Sequence, residues 1–348
     1  MVVATTVPLL SLAGSPYEVG LRHGRDRAAA LREFLDDGLC RLDRLLPVPV
    51  SREDLAPRLD AYGEAITGAT PDLGAELRGL AEGAGIGWRD AVLLQVRREI
   101  MGYQKVPTMG DCTTYARAGT TPVLSQTVDL NGNLDDQLAV LRVAVDGSPR
   151  RTLVLSFGGL LGYLGINSSG LAVGLNLVLG GEWRIGLPPY LAIRHLLEVA
   201  DTVEEAVAVL GTLPLASSRS IMLCDRTRTG YVEILGDALR FHAAAQSVHT
   251  NHYLDPDFVP HDEVNVFARN SSRRRLAAAQ EALTRVPADA DAERHFEVLS
   301  TPPICVGDTG DIRRERTVAA IVAYPDRGEL HVRPGDPSQS RTNVFTLR

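Results

Sequence analysis

Apolar positions change their spacing near residue 110, and that change divides the chain into two patterns. From Asp26 to about Arg98 the spacing is helical. Leu31, Phe34, Leu35, Leu42, Leu45 and Leu46 form one stripe, and Trp88, Val92 and Val96 form another. Arg22, Arg25, Arg27 and Arg32 alternate with acids, as on a solvated helix face. Ahead of these, Met1 to Leu12 is apolar but carries no basic flank and no small-residue cleavage site. It reads as a first strand, not a signal peptide.

Beyond Gly110 the apolar runs shorten, and Gly, Pro and Asn break them. Strands are expected at Thr113–Arg117, Val123–Val128, Leu138–Val145, Thr152–Phe157, Gly162–Ile166 and Leu171–Leu177. Helical spacing returns at Tyr190–Val199, and Thr202-Val203-Glu204-Glu205 has the form of a capping box opening another helix. Further strands are expected at Ile221–Cys224 and Tyr231–Leu235, with a helix from about Ser271 to Leu283. A late hairpin joins Thr317–Tyr324 to Glu329–Arg333. Strands, then helices, then strands again suit an α+β fold.

The chain of 348 residues is 45% hydrophobic, enough for a sizeable core; with aromatics at 5%, Leu, Val and Ala must build most of it. A formal net charge of -7 offers no basic field, which excludes nucleic acid as the main partner. No apolar run approaches the roughly 20 residues that cross a bilayer, so no membrane role is expected. Cys40, Cys112, Cys224 and Cys305 are far apart and form no CxxC pair, against a zinc knuckle or redox pair. Reduced thiols in the cytoplasm are the expectation.

The chemistry concentrates at Met109-Gly110-Asp111-Cys112-Thr113-Thr114, at the junction of the two patterns. A thiol is a strong nucleophile near neutral pH once a base activates it. Were the bond before Cys112 broken, its own α-amine would be freed. With an unperturbed pKa of about 8, that amine can serve as the base. Taken singly, a buried structural thiol is the commoner explanation of such a cysteine.

Its surroundings point further. The motifs Gly14-Ser15-Pro16-Tyr17-Glu18-Val19-Gly20 with His23-Gly24, then Gly79-Leu80-Ala81-Glu82-Gly83-Ala84 and Arg97-Arg98-Glu99, precede Asp111-Cys112-Thr113-Thr114. Ser125-Gln126-Thr127-Val128-Asp129, Gly165 to Val173, and Val248-His249-Thr250-Asn251-His252 follow, and the late hairpin closes the series. In this order, over nearly the whole chain, they resemble the acyl-CoA:isopenicillin N acyltransferase family of N-terminal nucleophile hydrolases. The resemblance implies a four-layer αββα sandwich with a mainly helical N-terminal segment. It also implies self-cleavage at Asp111–Cys112, leaving a helical small chain, Met1–Asp111, paired as a heterodimer with a catalytic chain, Cys112–Arg348.

Carried over by position, Cys112 is nucleophile and, through its amine, base. Asp129 holds that amine, Asn251 donates to the oxyanion, and Asn176 is the second oxyanion candidate. Arg314 favours the thiolate and binds a substrate carboxylate, although Arg313 and Arg316 beside it leave the single assignment open. Ser218, Thr113 and His249 are substrate-side candidates. Arg273, with Arg274 and Arg275, reads as helix surface charge, and Cys305 as an interior residue. A small-molecule amide or thioester is the implied substrate, with acyl-CoA as acyl donor and no resident cofactor or metal.

Two departures stand out. The family pattern has Asp-Gly before the cysteine where this chain has Gly110-Asp111, and Asp129 lies one place nearer Cys112 than the family spacing. An uncut papain-like enzyme pairing Cys112 with His249 or His252 is the alternative. A binding protein that has kept the fold and lost the chemistry is another.

Overall fold

The computed structural model describes residues 6–102 and 112–348. The helical pattern becomes five helices: α1 Pro16–Asp36, α2 Gly38–Leu45, α3 Arg52–Ala69, α4 Pro71–Ala84 and α5 Trp88–Met101. Helix α1 begins well before Asp26 because Ser15 and Glu18 close a reciprocal capping box and Pro16 occupies the first turn. The glycines quoted above explain the next step. Gly20 and Gly24 on α1 meet Gly79 and Gly83 on α4 so closely that backbone touches backbone. A Cβ on Gly20 would lie 1.8 Å from the Glu76 carbonyl oxygen, and one on Gly79 would lie 2.0 Å from that of Tyr17. Tyr17 also donates its hydroxyl to Glu82 across this crossing.

Helix α2 opens with a left-handed turn: Leu39, Cys40 and Arg41 all have positive φ, from 52° to 65°. Such conformations cost energy for residues with a side chain. The Arg41 guanidinium opposes that cost by donating to the carbonyls of Gly132 and Asn133, each at 2.7 Å, and pairing with Asp136.

The strand-rich part builds two sheets. Strands β1 Leu9–Gly14, β4 Leu138–Val145, β5 Arg151–Phe157, β6 Leu164–Asn167, β7 Ala172–Asn176, β8 Arg219–Cys224, β9 Thr229–Leu235 and β10 Ala238–Ala244 lie side by side in that order. The second sheet runs β11 Gln246–His249, β2 Thr114–Arg117, β3 Val123–Leu130, β12 Arg316–Tyr324, β13 Glu329–Pro334 and β14 Asn343–Thr346. Its central strands β3 and β12 are buried along almost their whole length, as strands covered on both faces must be. Helices α6 Pro189–Val199 and α7 Val203–Leu210 pack on the first sheet, and α8 Val266–Leu283 and α9 Ala292–Leu299 on the second. With β2 and β3 facing β7 and β8, the order of layers is helix, sheet, sheet, helix, the expected αββα sandwich.

Strand β1 pairs in parallel with β4, so the N-terminal segment supplies one edge of the larger sheet. The Thr202 side chain caps α7 at the Glu205 N–H, but the Glu205 carboxylate turns to Asp201 instead of completing the box. Helix α8 starts five residues before the expected Ser271 because Asn265 caps the N–H groups of Phe267 and Ala268. Strand β10 escapes a period-two reading because its residues are half-buried or exposed without alternation. Among the described residues no helix is long and apolar enough to cross a membrane.

Replacing Gly79 by Ala should destabilise the fold by roughly 2–3 kcal/mol, since the backbone of α1 must move aside. Gly68 in α3 has nothing within 4 Å of a Cβ, and Ala there should be neutral or stabilising by up to about 1 kcal/mol. Urea midpoints of the two variants test this pair. Acid should also weaken the fold through buried histidines. Burial pulls His23 down to about 3 and His295 to about 4, whereas unfolded histidine titrates near 6.5. Between those values the unfolded chain binds more protons, so stability rises with pH and is lost as pH falls from about 6.5 towards 4. Urea midpoints at pH 7 and pH 5 should show the drop, and His295→Gln should make it shallower.

Candidate active site

Cys112 sits just before β2 and is 2% exposed. Its Sγ accepts the Asp129 N–H at 3.4 Å and lies 3.6 Å from the Tyr163 hydroxyl. Residues Met109, Gly110 and Asp111 of the motif lie outside the described residues. Behind the cysteine, Thr113 donates its N–H to the Thr127 hydroxyl, and that hydroxyl donates to Asp129 Oδ2 at 3.3 Å. Thr317 on β12 donates to Asp129 Oδ1 at 2.7 Å. Two threonine hydroxyls thus fix a fully buried carboxylate close to Cys112.

The carbonyl of Cys112 is held from two sides. Asn176, the last residue of β7, donates Nδ2 to it at 2.8 Å, and Arg275 donates Nη1 at 2.9 Å. The Asn176 side chain therefore grips the backbone of Cys112. Its Oδ1 is buried and lacks a hydrogen-bond partner among the described residues. Gln126 on β3 ties this strand down: its amide exchanges two hydrogen bonds, 2.9 and 3.0 Å, with the backbone of Leu175.

Arg275, expected to be helix surface charge, is instead buried at the centre of this cluster. Its guanidinium, with no exposure to solvent, also donates to Thr113 Oγ1 at 3.1 Å and to Asn251 Oδ1 at 2.8 Å. Accepting on Oδ1 leaves Asn251 its Nδ2 as donor, and Leu177 takes one of those hydrogens at 2.9 Å. An amide nitrogen carries two N–H groups, so fixing one sets the direction of the other. The signal was helical phase. Ala268, Ser272, Arg275, Ala279 and Leu283 form the buried stripe of α8, whereas Arg273 and Arg274 point outward as expected.

The other expected residues sit elsewhere. Thr113 lies in the group around Cys112 but is wholly buried against Arg275. Ser218 donates to the Val178 carbonyl and accepts the Trp183 indole N–H. Arg314 is exposed on the rim of a separate groove shared with Arg273 and Arg274. His249 turns away to Glu233 (2.8 Å) and to the Thr250 carbonyl (2.7 Å). His252 Nδ1 bonds the Ser272 hydroxyl at 2.7 Å, and burial pulls its ring down to about 4. No group of three or more potential metal ligands occurs among the described residues. Cys305 is buried, and its thiol, like those of Cys40 and Cys224, is raised by burial to about 12.

Tyr163 connects the thiol to a cavity of about 50 Å³. The Tyr163 ring stacks on Tyr190 at 5.2 Å and meets Phe157 edge-on at 5.2 Å. Tyr190 and Trp183 both bear on the guanidinium of Arg219, which Glu99 bonds together with Ser217. Arg97, Arg98 and Leu94 of α5 complete the wall.

Residues 116–339 match the family model described as acyl-coenzyme A:6-aminopenicillanic acid acyl-transferase. Over 248 residues the chain is 27% identical to the acyl-coenzyme A:6-aminopenicillanic-acid-acyltransferase 40 kDa form of Emericella nidulans, covering 69% of this chain and 68% of that protein. A single-residue variant of conjugated bile acid hydrolase from Clostridium perfringens superposes with a TM-score of 0.52. It is 11% identical and covers 68% of this chain and 92% of that one, a likeness of fold. Penicillin V acylase from Agrobacterium tumefaciens gives 0.48 at 16% identity, over 67% and 85% of the two chains. With a family match across well over half its length, the chain belongs to the acyl-coenzyme A:6-aminopenicillanic acid acyl-transferase family, on the N-terminal nucleophile hydrolase fold.

Proposed function

We propose that the protein cuts itself at Asp111–Cys112 and then uses Cys112 to cleave an amide, or to transfer an acyl group, through a thioester. The observation that carries this reading is the set of bonds on Cys112: thiol against the Asp129 backbone, carbonyl held by Asn176 and Arg275, and Asn251 on the same guanidinium. Cleavage releases an α-amine on the residue that bears the thiol. Asp129 orients that amine and keeps it basic, since a carboxylate nearby favours the charged form.

In the first half-reaction the amine takes the thiol proton, sulfur bonds to the acyl carbon, and the tetrahedral oxyanion accepts a hydrogen bond from Asn251. The C–N bond then breaks, and the leaving amine receives the proton from the ammonium. In the second half, water or an acceptor amine gives its proton to the same α-amine and attacks the thioester, freeing the thiol. A neutral donor such as Asn251 in a closed site lowers this barrier by about 3 kcal/mol. An acyl-CoA thioester enters by the same chemistry as acyl donor. The products of processing, Met1–Asp111 and Cys112–Arg348, stay paired through β1 on β4 and through Gln95 of α5 on the backbone of Gly159 and Leu161, in a reducing cytoplasm that suits four free thiols. A histidine base in the papain manner finds no support, because both His249 nitrogens and His252 Nδ1 are engaged away from the thiol.

Intact mass is the direct check: active protein should resolve into two chains, and Cys112→Ala should remain at 37.5 kDa without activity. A single uncut species that turns over substrate would overturn the reading. Arg275→Met should lower kcat by about 100-fold with KM little changed, since Arg275 orients groups instead of touching substrate. Arg275→Lys should recover little, because a point cation cannot fork between three oxygens. Arg273→Ala should be silent in both parameters. Initial-rate kinetics on the processed forms would show the split.

A further inference from the structure

A chain of contacts runs from α5, on the N-terminal side of the proposed cut, to the sulfur of Cys112. It starts at Glu99, whose Oε1 accepts from the Ser217 hydroxyl at 2.9 Å and from Arg219 Nη2 at 3.3 Å. Glu99 and Arg219 are both shut off from water. The Arg219 guanidinium also donates to the Ser218 carbonyl at 2.7 Å, and it bears on two rings, Trp183 at 5.1 Å and Tyr190 at 5.5 Å. Tyr190 stacks on Tyr163 with the ring planes 18° apart, and Phe157 meets Tyr163 edge-on. Tyr163 places its hydroxyl 3.6 Å from Cys112 Sγ. Ring–ring and cation–ring contacts are directional, so the buried pair fixes the orientation of the stack as well as its place.

The state of the sulfur decides the sense of the last contact. A thiolate has lone pairs and no proton, so towards it the hydroxyl can only donate. Unperturbed thiol and phenol titrate at about 8.5 and about 10. When the α-amine removes a proton it therefore takes the one on sulfur, and the phenol keeps its own. A donor to the charged form lowers a thiol pKa, and the Asp129 N–H, 3.4 Å from Sγ, is one such donor.

We propose that Tyr163 is a second donor to the Cys112 thiolate, and that Glu99 and Arg219 are the positioning residues that hold it on the sulfur. This rests on Cys112 being the nucleophile. It also makes the segment before residue 112 part of the site, because after cleavage the small chain still carries Glu99.

The pH dependence of Cys112 alkylation by iodoacetamide, located by mass spectrometry, is the test. Tyr163→Phe removes only the hydroxyl and should raise the alkylation midpoint by about one pH unit, the size of a hydrogen bond to a charged group. Glu99→Met combined with Arg219→Met leaves no lone buried charge and should raise the midpoint in the same direction by less. All three changes together should move it no further than Tyr163→Phe alone, because positioning has no effect on a hydroxyl that is gone. A packing defect unrelated to the hydroxyl would add its own shift. A midpoint unmoved by Tyr163→Phe overturns the donor, and additive shifts, or none from the paired Met variant, overturn the positioning. Should the paired Met variant not fold, Tyr190→Leu takes its place with the same expected result. A folded Tyr163→Phe that stays uncut supports the donor, since cleavage uses the same thiolate. Wild-type Cys112 alkylating no faster than Cys40 or Cys224 removes the nucleophile itself, whereas a fast Cys112 indifferent to Tyr163→Phe removes only the tyrosine.

Discussion

One guanidinium shut off from water sets the geometry of the site. Arg275 reaches three oxygens that belong to two strand ends: the carbonyl of Cys112 and the hydroxyl of Thr113 before β2, and the side chain of Asn251 after β11. A planar fork cannot satisfy three acceptors unless all three keep their places. Losing it would take a donor from each, at about 1–3 kcal/mol for an acceptor left buried without another partner, although Asn176 would still hold the Cys112 carbonyl. Cys112 and Asn251 therefore move together or not at all, and α8 supplies the fixed point.

The second constraint registers the sheets against each other. The Gln126 amide imitates a strand partner for Leu175, bonding its N–H and C=O from the opposite sheet. Gly174 permits the approach, because a Cβ there would stand 2.7 Å from Gln126 Oε1. Asn176 follows at once, so the same pair of bonds decides where its amide meets Cys112. Asp129 lies three residues beyond Gln126 on β3. Thr317, 188 residues away in sequence, then closes the cage around its carboxylate.

Much of this was legible in the residues. Periodicity located most strands to within a residue or two, and the ordered motifs pointed to the fold and to Cys112. What escaped has physical causes. Arg273, Arg274 and Arg275 look alike as letters, and only the phase of Ala268, Ser272 and Ala279 separates the buried one. The glycines of α1 and α4 were visible as motif letters, but their purpose needs the two helices face to face. Ser15-Pro16-Tyr17-Glu18 is a cap and a cross-helix bond, so it marks fold, not chemistry. Helix α9 and strands β10 and β14 gave little pattern, being short or half-exposed.

The histidine near Asn251 has a clear part in positioning the chain. His249 Nδ1 faces the Thr250 carbonyl, which can only accept, so that nitrogen carries a proton. Nε2 faces Glu233. Burial works to raise the Glu233 carboxyl, but its bond and charge interaction with His249 and the N–H groups of Leu254 and Asp255 outweigh burial and hold it low. Both ring nitrogens are therefore taken up by these two partners, at 2.7 and 2.8 Å, and neither faces the Cys112 thiol. The same carboxylate anchors the backbone at His249 on one side of Asn251 and at Leu254 and Asp255 on the other. The short segment between those anchors has little freedom, which is the condition for a side-chain amide to meet an oxyanion without reorganising.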